Sequence, residues 1–469
     1  MKILLAYEWC QIGGVEAFMV GLWEELRAAG HQCEFFFFER GPMAEQLPAG
    51  SVAHFGDLSD CMKLVRERGF DIVHANSSDW RNGIAAVRTC GARLVITAHG
   101  MVVRGWNSTN CDALVCCSQW QADEQTRYTD LPVQTVLNGI DTNLFKPVAD
   151  ASATDADASI AFTSSNNATE ASAPGIFDAP SASAPIVAWV GRANDMVHKR
   201  IDRLAAVAPA LRAAGVRIWI ADPTGFAEVE AVAPDAARTL RPLAEVWGAV
   251  TKEKLPAFFR AVATSGGCVL STSVREGLPM ALIEAQACGC PVVGSDVRGV
   301  NEVVRPEHGG LLYPFGLEAD QLAKLLLDTL GDREAMRERR EACARFAHEQ
   351  FSLRRMARDY TRIYGEALEA RSRRSARTHA RLWLAPLLDW DDYVERRWTA
   401  GVRQYETSRK LAGQGERALA AAAARLSFVT CPTIYARPAR LAHLLKILLR
   451  PAGLSGERGD AIKRVTLKR

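Results

Sequence analysis

The chain has 469 residues, 48% of them hydrophobic and 24% charged, a composition that fits an ordinary soluble globular protein. At roughly 150 residues per domain it is too long for one domain, so two or three are expected. No apolar run approaches the roughly 18 residues of a membrane-spanning helix, and residues 1–35 lack the features of a signal peptide, so a cytoplasmic protein is expected. The net charge of +3 hides an asymmetry: residues 371–469 carry 21 Lys and Arg against 8 Asp and Glu, a surplus of +13, while the first 370 residues sum to −10. Such a split suits an anionic partner for the tail, or a solvated helical surface. Twelve cysteines with no export signal favour reduced, packed thiols over a disulfide framework, and neither Cys116-Cys117 nor Cys288-x-Cys290 has zinc-site partners.

In chain order, Lys2–Glu8 is an apolar strand ending near Gly13-Gly14, and residues 15–30 read as a helix stopped by Gly30. Cys33–Phe38 is a strand, Cys61–Arg68 a helix, and Asp71–Ala75, Arg93–His99 and Ala113–Ser118 further strands. This alternation predicts a parallel, doubly wound sheet over residues 1–148. Residues 149–184 are rich in Ala, Ser, Thr, Asp and Pro, and no Lys or Arg falls between Lys146 and Arg192. Such a segment buries too little apolar surface to offset its ordering entropy and is expected to be a disordered linker. Alternation resumes at Ile186–Gly191 and continues through strands at Arg217–Ala221, Val246–Val250, Cys268–Ser271 and Val292–Ser295. Helices at Ile201–Ala214, Leu255–Val262, Met280–Cys288 and Asp320–Leu330 complete a second αβ domain at 185–350. A closing helix is expected at 351–370 and a basic helical tail at 371–469.

The most informative stretch opens the helix after strand Cys268–Ser273: Glu276-Gly277-Leu278-Pro279-Met280-Ala281-Leu282-Ile283-Glu284. Pro279 suits a first helical turn, where its missing N–H costs nothing, and the free N–H groups of that helix end can meet an anion. A loop carboxylate at Glu276 and a helix carboxylate at Glu284 supply two hydroxyl acceptors for different parts of one polyhydroxylated ligand.

This E-x7-E arrangement, in the setting EGLPMALIEAQACGCPVV, resembles family 4 of the retaining GT-B glycosyltransferases. The resemblance covers about residues 1–370 and implies two Rossmann-like domains facing each other across a cleft. The second would bind a nucleotide sugar and the first would present the acceptor. It further implies that Glu276 contacts donor-sugar hydroxyls and Glu284 the nucleotide ribose, that Gly277, Leu278, Pro279 and Met280 belong to the donor site, and that no metal or other cofactor is needed. Arg192 and Lys199 follow the first strand of the second domain, and their charges suit a diphosphate. The intervening gap is longer than usual in the family, and Arg200 stands where a Gly is common, so Arg200 is an alternative to Lys199. Gly13 and Gly14 resemble the family's N-terminal glycine loop, where backbone approaches phosphate or acceptor closely. His99, in Thr97-Ala98-His99-Gly100, matches the family's histidine beside the transferred sugar, whereas His74 reads as structural. Asn138-Gly139-Ile140-Asp141 resembles the segment closing the first domain. Trp247 resembles the aromatic residue beside the base. Ala221-Asp222-Pro223-Thr224-Gly225 departs from the Gly-x-Gly expected there, leaving the nucleotide open.

The expected activity is therefore transfer of a sugar from a nucleotide-sugar donor to a glycan or lipid-linked acceptor, with catalytic roles for His99 and Glu276 and with retention of anomeric configuration. A sugar-nucleotide epimerase or hydrolase and a silent nucleotide-sugar-binding protein are the alternatives on this fold. No nucleic-acid partner is expected. In the tail, apolar residues at 441, 444, 445 and 448 share a helical face with Arg440, Lys446 and Arg450 nearby, a pattern suited to an anionic membrane surface on the inner face.

Overall fold

Short apolar strands bounded by glycines and amphipathic helices dictate the architecture. The computed structural model describes residues 1–148, 184–370 and 398–448, apart from breaks at 12, 77–83, 101, 104, 109, 193–194, 224, 249, 432–433 and 436–437. All of the 149–184 linker except residue 184 therefore lies outside the described residues.

The chain divides into two compact units, the first comprising Met1–His54, Ile72–Ser78 and Leu94–Arg373. The first sheet runs β1 (Lys2–Trp9), β2 (Gln32–Glu39), β3 (Ala53–Phe55), β4 (Ile72–Ala75), β5 (Arg93–Ala98), β6 (Ala113–Cys116) and β7 (Val133–Thr135) along the chain. In space the order is β3-β2-β1-β4-β5-β6-β7. The second sheet uses β8 (Ile186–Val190), β9 (Arg217–Ala221), β10 (Ala244–Trp247), β11 (Cys268–Ser271), β12 (Val292–Ser295) and β13 (Leu311–Tyr313), ordered β10-β9-β8-β11-β12-β13. The registered pairs are parallel, for example Val269 opposite Val292 and Val187 opposite Ile218. In each sheet the order reverses beside the first strand, and that switch point is where open α/β sheets place a ligand.

Helices cover both sheets: α1 (Gly14–Ala28), α2 (Leu58–Arg68), α3 (Gln119–Gln125), α4 (Ile201–Ala213), α5 (Phe226–Val232), α6 (Pro234–Leu240), α7 (Leu255–Thr264), α8 (Met280–Ala287), α9 (Val300–Val303), α10 (Ala319–Gly331), α11 (Arg333–Gln350) and α12 (Leu353–Glu369). Alternation along β8 divides the second core: Val187 and Trp189 pack with Leu204, Leu211 and Leu326 on one face. Ile186 and Ala188 pack with Phe258, Phe259 and Ile283 on the other. The 351–370 segment is the expected helix, α12, and it returns to the first domain. Ile140 bridges Ser352, and Tyr360 and Tyr364 are buried against Thr97 and His74. The Asn138–Asp141 segment thus meets the start of α12, where a Cβ on Gly139 would stand 2.7 Å from Leu353 Cα.

The second unit comprises Phe55–Asp71, Asp79–Arg93 and Arg374–Arg469, so the tail helices group with α2. They span Trp398–Gly413, Arg417–Thr430 and Pro438–Leu448. Tyr405, Ala424, Cys431, Ile434, Tyr435 and Leu444 form their core. Asp57 caps α2 and takes an ion pair from Lys410 at 2.6 Å, and Arg66 pairs with Glu416 at 2.5 Å. The last helix does not present the single apolar face read from sequence. It packs through Leu444 and Ile447, with Arg440 over the Tyr405 ring, and leaves Leu441 and Leu445 exposed at 42% and 46%. The side chain of Leu448 lies outside the described residues, as does Arg450. No disulfide joins any of the twelve cysteines, and all but Cys90 are buried.

Candidate active site

After β11 the chain runs through Thr272 and Ser273 to Glu276 and turns into α8. The Glu276 N–H donates to Arg298 O at 2.9 Å. Gly299, at φ +84°, comes so close that a Cβ there would stand 2.2 Å from Glu276 O, so only glycine fits. Oε1 of Glu276 accepts hydrogen bonds from Lys199 Nζ at 2.5 Å and Ser273 Oγ at 2.6 Å. Oε2 accepts none from a described residue.

Lys199 reaches Glu276 because the loop after β8 is fastened to the loop after β11. Thr272 Oγ1 donates to Lys199 O at 2.6 Å and accepts the Trp189 indole N–H at 3.0 Å, while Val274 N–H donates to His198 O at 2.7 Å. Arg200 takes φ +49°, the only positive φ among described non-glycine residues, at the position where the family commonly has glycine. Its guanidinium forks onto Asp202 at 2.7–3.2 Å, an interaction that raises its pKa. Lys199, and not the alternative Arg200, is thus the cation at Glu276. Arg192 is exposed beside Gly191 and pairs with no described carboxylate.

A cavity of about 190 Å³ opens at the ends of β8 and β11, lined by Lys199, Ser273, Glu276, Leu278, Pro279 and Met280 among others. Pro279 is the N-cap of α8, one residue earlier than a first-turn reading. The first helical bond is Leu282 N–H to Pro279 O, so the N–H groups of Met280 and Ala281 are left for a ligand at the cavity. Glu284, the fifth residue of α8, is partly exposed; burial pushes its carboxyl up to about 7, with Lys252 opposing. Trp247 ends β10, its ring 4.9 Å from Trp219 and its carbonyl bonded by Asp222 N–H at 3.2 Å.

On the first domain, Gly13 and Gly14 begin α1. Gly13 is extended, a conformation any residue adopts, and nothing lies within 4 Å of a Cβ on Gly14. A Cβ on Gly13 would stand 2.8 Å from Glu16 Oε2, so the open space is at Gly14 alone. His99 follows β5, its ring 4.5 Å from Phe18 and its Nε2 3.0 Å from Asn76 Oδ1. Burial pushes its pKa down to about 3, so the imidazole is neutral at neutral pH. His74 is fully buried between Tyr364 OH and Thr97 Oγ1, both at 2.7 Å, the structural role its sequence position suggests.

The His99 loop meets the Glu276 loop directly. A Cβ on Gly277 would stand 3.3 Å from His99 O. Trp120 Nε1 donates to Gly277 O at 3.2 Å, and Glu302 accepts the backbone N–H groups of Gln119 and Trp120 at 2.6 and 2.7 Å. Asn76, Trp120, Ser273 and Glu302 were not singled out by sequence. For Asn76 and Ser273 the available signal was their position just past strand ends.

Residues 184–332 match the family described as "Glycosyl transferases group 1" and residues 12–144 that described as "Glycosyltransferase Family 4". The chain belongs to this group 1, family 4 class of glycosyltransferases. A D-inositol 3-phosphate glycosyltransferase of Salinispora tropica is 38% identical over 130 residues, 27% of this chain and 25% of that protein. The chain thus aligns with about a quarter of that relative's length. An alpha-maltose-1-phosphate synthase of Mycolicibacterium smegmatis is 25% identical over 327 residues, 62% of this chain and 78% of that one. Among solved structures, a glycosyltransferase from Rickettsia africae superposes with TM-score 0.62 at 16% identity, covering 79% of this chain and 99% of that one. An Anabaena protein, HepE, in complex with UDP and glucose gives 0.58 at 17%, covering 78% and 99%. The two-domain GT-B fold expected from sequence is therefore the fold of this family member.

Proposed function

We propose that this glycosyltransferase moves a sugar from a nucleotide-sugar donor to a glycan or lipid-linked acceptor, with retention at the anomeric carbon. The observation that carries the reading is the convergence of Lys199, Glu276 and the N-terminus of α8 on one cavity at the C-terminal edge of the second sheet. In this reading the unengaged Oε2 of Glu276 accepts a donor-sugar hydroxyl and Glu284 accepts from the ribose. Arg192 and Lys199 neutralise the leaving diphosphate, helped by the α8 N–H groups, so that charge stabilisation needs no metal. Gly277, Leu278, Pro279 and Met280 line the donor's path, Trp247 flanks the base, and the glycine loop at Gly13-Gly14, open at Gly14, admits phosphate or acceptor. His99 stands beside the transferred sugar.

Thermal-shift screening against UDP-, GDP- and ADP-sugars tests donor binding, since a ligand that binds only the native state raises apparent stability. Turnover of the stabilising donor with a candidate acceptor tests transfer. Stabilisation without transfer, and with Glu276→Ala indifferent in cells, would favour a silent binding protein. Release of free sugar without acceptor would favour a hydrolase.

The charge of the tail supports a second role at an anionic membrane on the cytoplasmic side. Leu441 and Leu445 are exposed in a segment carrying the +13 surplus, and among the described residues no helix is long and apolar enough to cross a membrane. Co-sedimentation of the full chain with anionic and neutral vesicles decides it: binding that ignores lipid charge and salt would remove the role.

A further inference from the structure

We propose that Asn76 is a positioning residue that holds the His99 ring in its Nε2–H tautomer and so leaves Nδ1 as a fixed hydrogen-bond acceptor. The proposal rests on the reading that His99 stands beside the transferred sugar. Asn76 directly follows β4, 2% exposed, with its backbone N–H anchored to Ala6 O at 2.9 Å. Its Oδ1 lies 3.0 Å from His99 Nε2. With the amide in this orientation its oxygen accepts, and Nε2 carries the proton. The ring is held from the side by Phe18, at 4.5 Å and 69°, so it has a fixed plane as well as a fixed partner.

The amide is also set by its surroundings. Asn76 Nδ2 is buried and has no hydrogen-bond partner among the described residues. Rotating the amide would orphan the oxygen instead and turn Nε2 into an acceptor, giving the opposite tautomer. One amide atom stays unpaired in either orientation, and the ¹⁵N measurement below distinguishes the two. A neutral imidazole with its proton committed to Asn76 serves a sugar hydroxyl as acceptor and is unsuited to donating a proton, which agrees with the depressed basicity caused by burial.

The test combines spectroscopy and kinetics on the full chain. In ¹⁵N-histidine-labelled protein, with His99 assigned by comparison with His99→Ala, the ring should carry its proton on Nε2. Asn76→Leu should abolish that preference and lower kcat about tenfold, the equivalent of one net hydrogen bond, while donor KM changes less than about twofold. Asn76→Asp, which keeps an acceptor at the same place, should restore the Nε2–H tautomer and most of kcat. Protonation on Nδ1 in the wild type, or an unchanged tautomer and kcat in Asn76→Leu, would overturn the proposal. If His99→Ala itself leaves turnover intact, the role of His99 fails, whereas the tautomer measurement still judges Asn76.

Discussion

Replacing Glu284 by glutamine separates the stability of the second domain from its proposed function. Burial raises this carboxyl from its ordinary 4.5 to about 7. Below pH 4.5 both folded and unfolded states hold the proton and the group costs nothing. Between 4.5 and 7 the unfolded chain ionises first while the native state stays protonated, so stability falls as pH rises, and above 7 the loss is complete. At ~1.4 kcal/mol per pH unit this amounts to about 3 kcal/mol at pH 8, an upper bound because the side chain keeps some contact with water. Glutamine does not titrate. The stability difference, wild type minus Glu284→Gln, should therefore become more negative from pH 5 to pH 8, making the variant the more stable protein in mild base. Denaturant unfolding of both proteins at each pH measures it. Binding should move the other way: glutamine is a poorer partner for ribose hydroxyls, so nucleoside diphosphate affinity should fall. If ribose selects the carboxylate, binding to wild type at pH 7 should release about half a proton, read by calorimetry in buffers of different ionisation enthalpy. A stability difference that does not vary with pH would refute the raised pKa of Glu284.

Lys199→Ala removes the cation at 2.5 Å from Glu276, and donor binding should weaken by about 1.5–3 kcal/mol, the range for charged hydrogen bonds; an unchanged dissociation constant would rule Lys199 out of the site. Asp57→Ala removes the α2 cap and the Lys410 partner together. Burial raises the Asp57 pKa, but the bonds from Lys410, Ser59 and Asp60 outweigh it and hold the value at about 2. The variant should lose about 1 kcal/mol of stability, nearly all from the cap, because the ion pair is solvent-exposed. Asp57→Asn keeps the cap and should be nearly neutral in a denaturant titration; a loss equal to that of Asp57→Ala would shift the credit to the ion pair.

The elements were legible where one physical signal sufficed. Buried parallel strands such as Ile186–Val190 and Cys268–Ser271 read as apolar runs with glycine at one end, Gly191 after the first and Gly266-Gly267 before the second, and α8 announced itself through Pro279 and the apolar residues behind it. The candidate residues of the second domain were legible for the same reason, since Glu276, Pro279 and Glu284 sit on one continuous stretch whose spacing survives folding. The tail shows where a single signal fails. Leu444 belongs to two helical stripes, one through 441, 445 and 448 and one through 440, 443 and 447, and the pattern alone does not say which meets a partner. Tyr405 decides it, by taking Arg440 over its ring and packing His443 at 5.3 Å.

What sequence could not supply is pairing across the chain. Trp120 and Gly277 are 157 positions apart, and Glu302 is 183 from Gln119. Neither periodicity nor a local motif encodes such a contact; it exists only once both sheets have formed. The same holds for Arg200. From sequence it is a basic residue beside a basic residue, equally able to meet a phosphate. Its φ of +49° and the Asp202 fork turn it away from Glu276, so backbone conformation, invisible in composition, decides which of two adjacent cations stands at Glu276. Each of these contacts bears on the strip of chain from Lys199 to Glu276 and His99, and their geometry couples the His99 loop to the Glu276 loop through Gly277. A side chain added at Gly277 would press on His99 O from 3.3 Å, and glycine there is what lets the two loops meet.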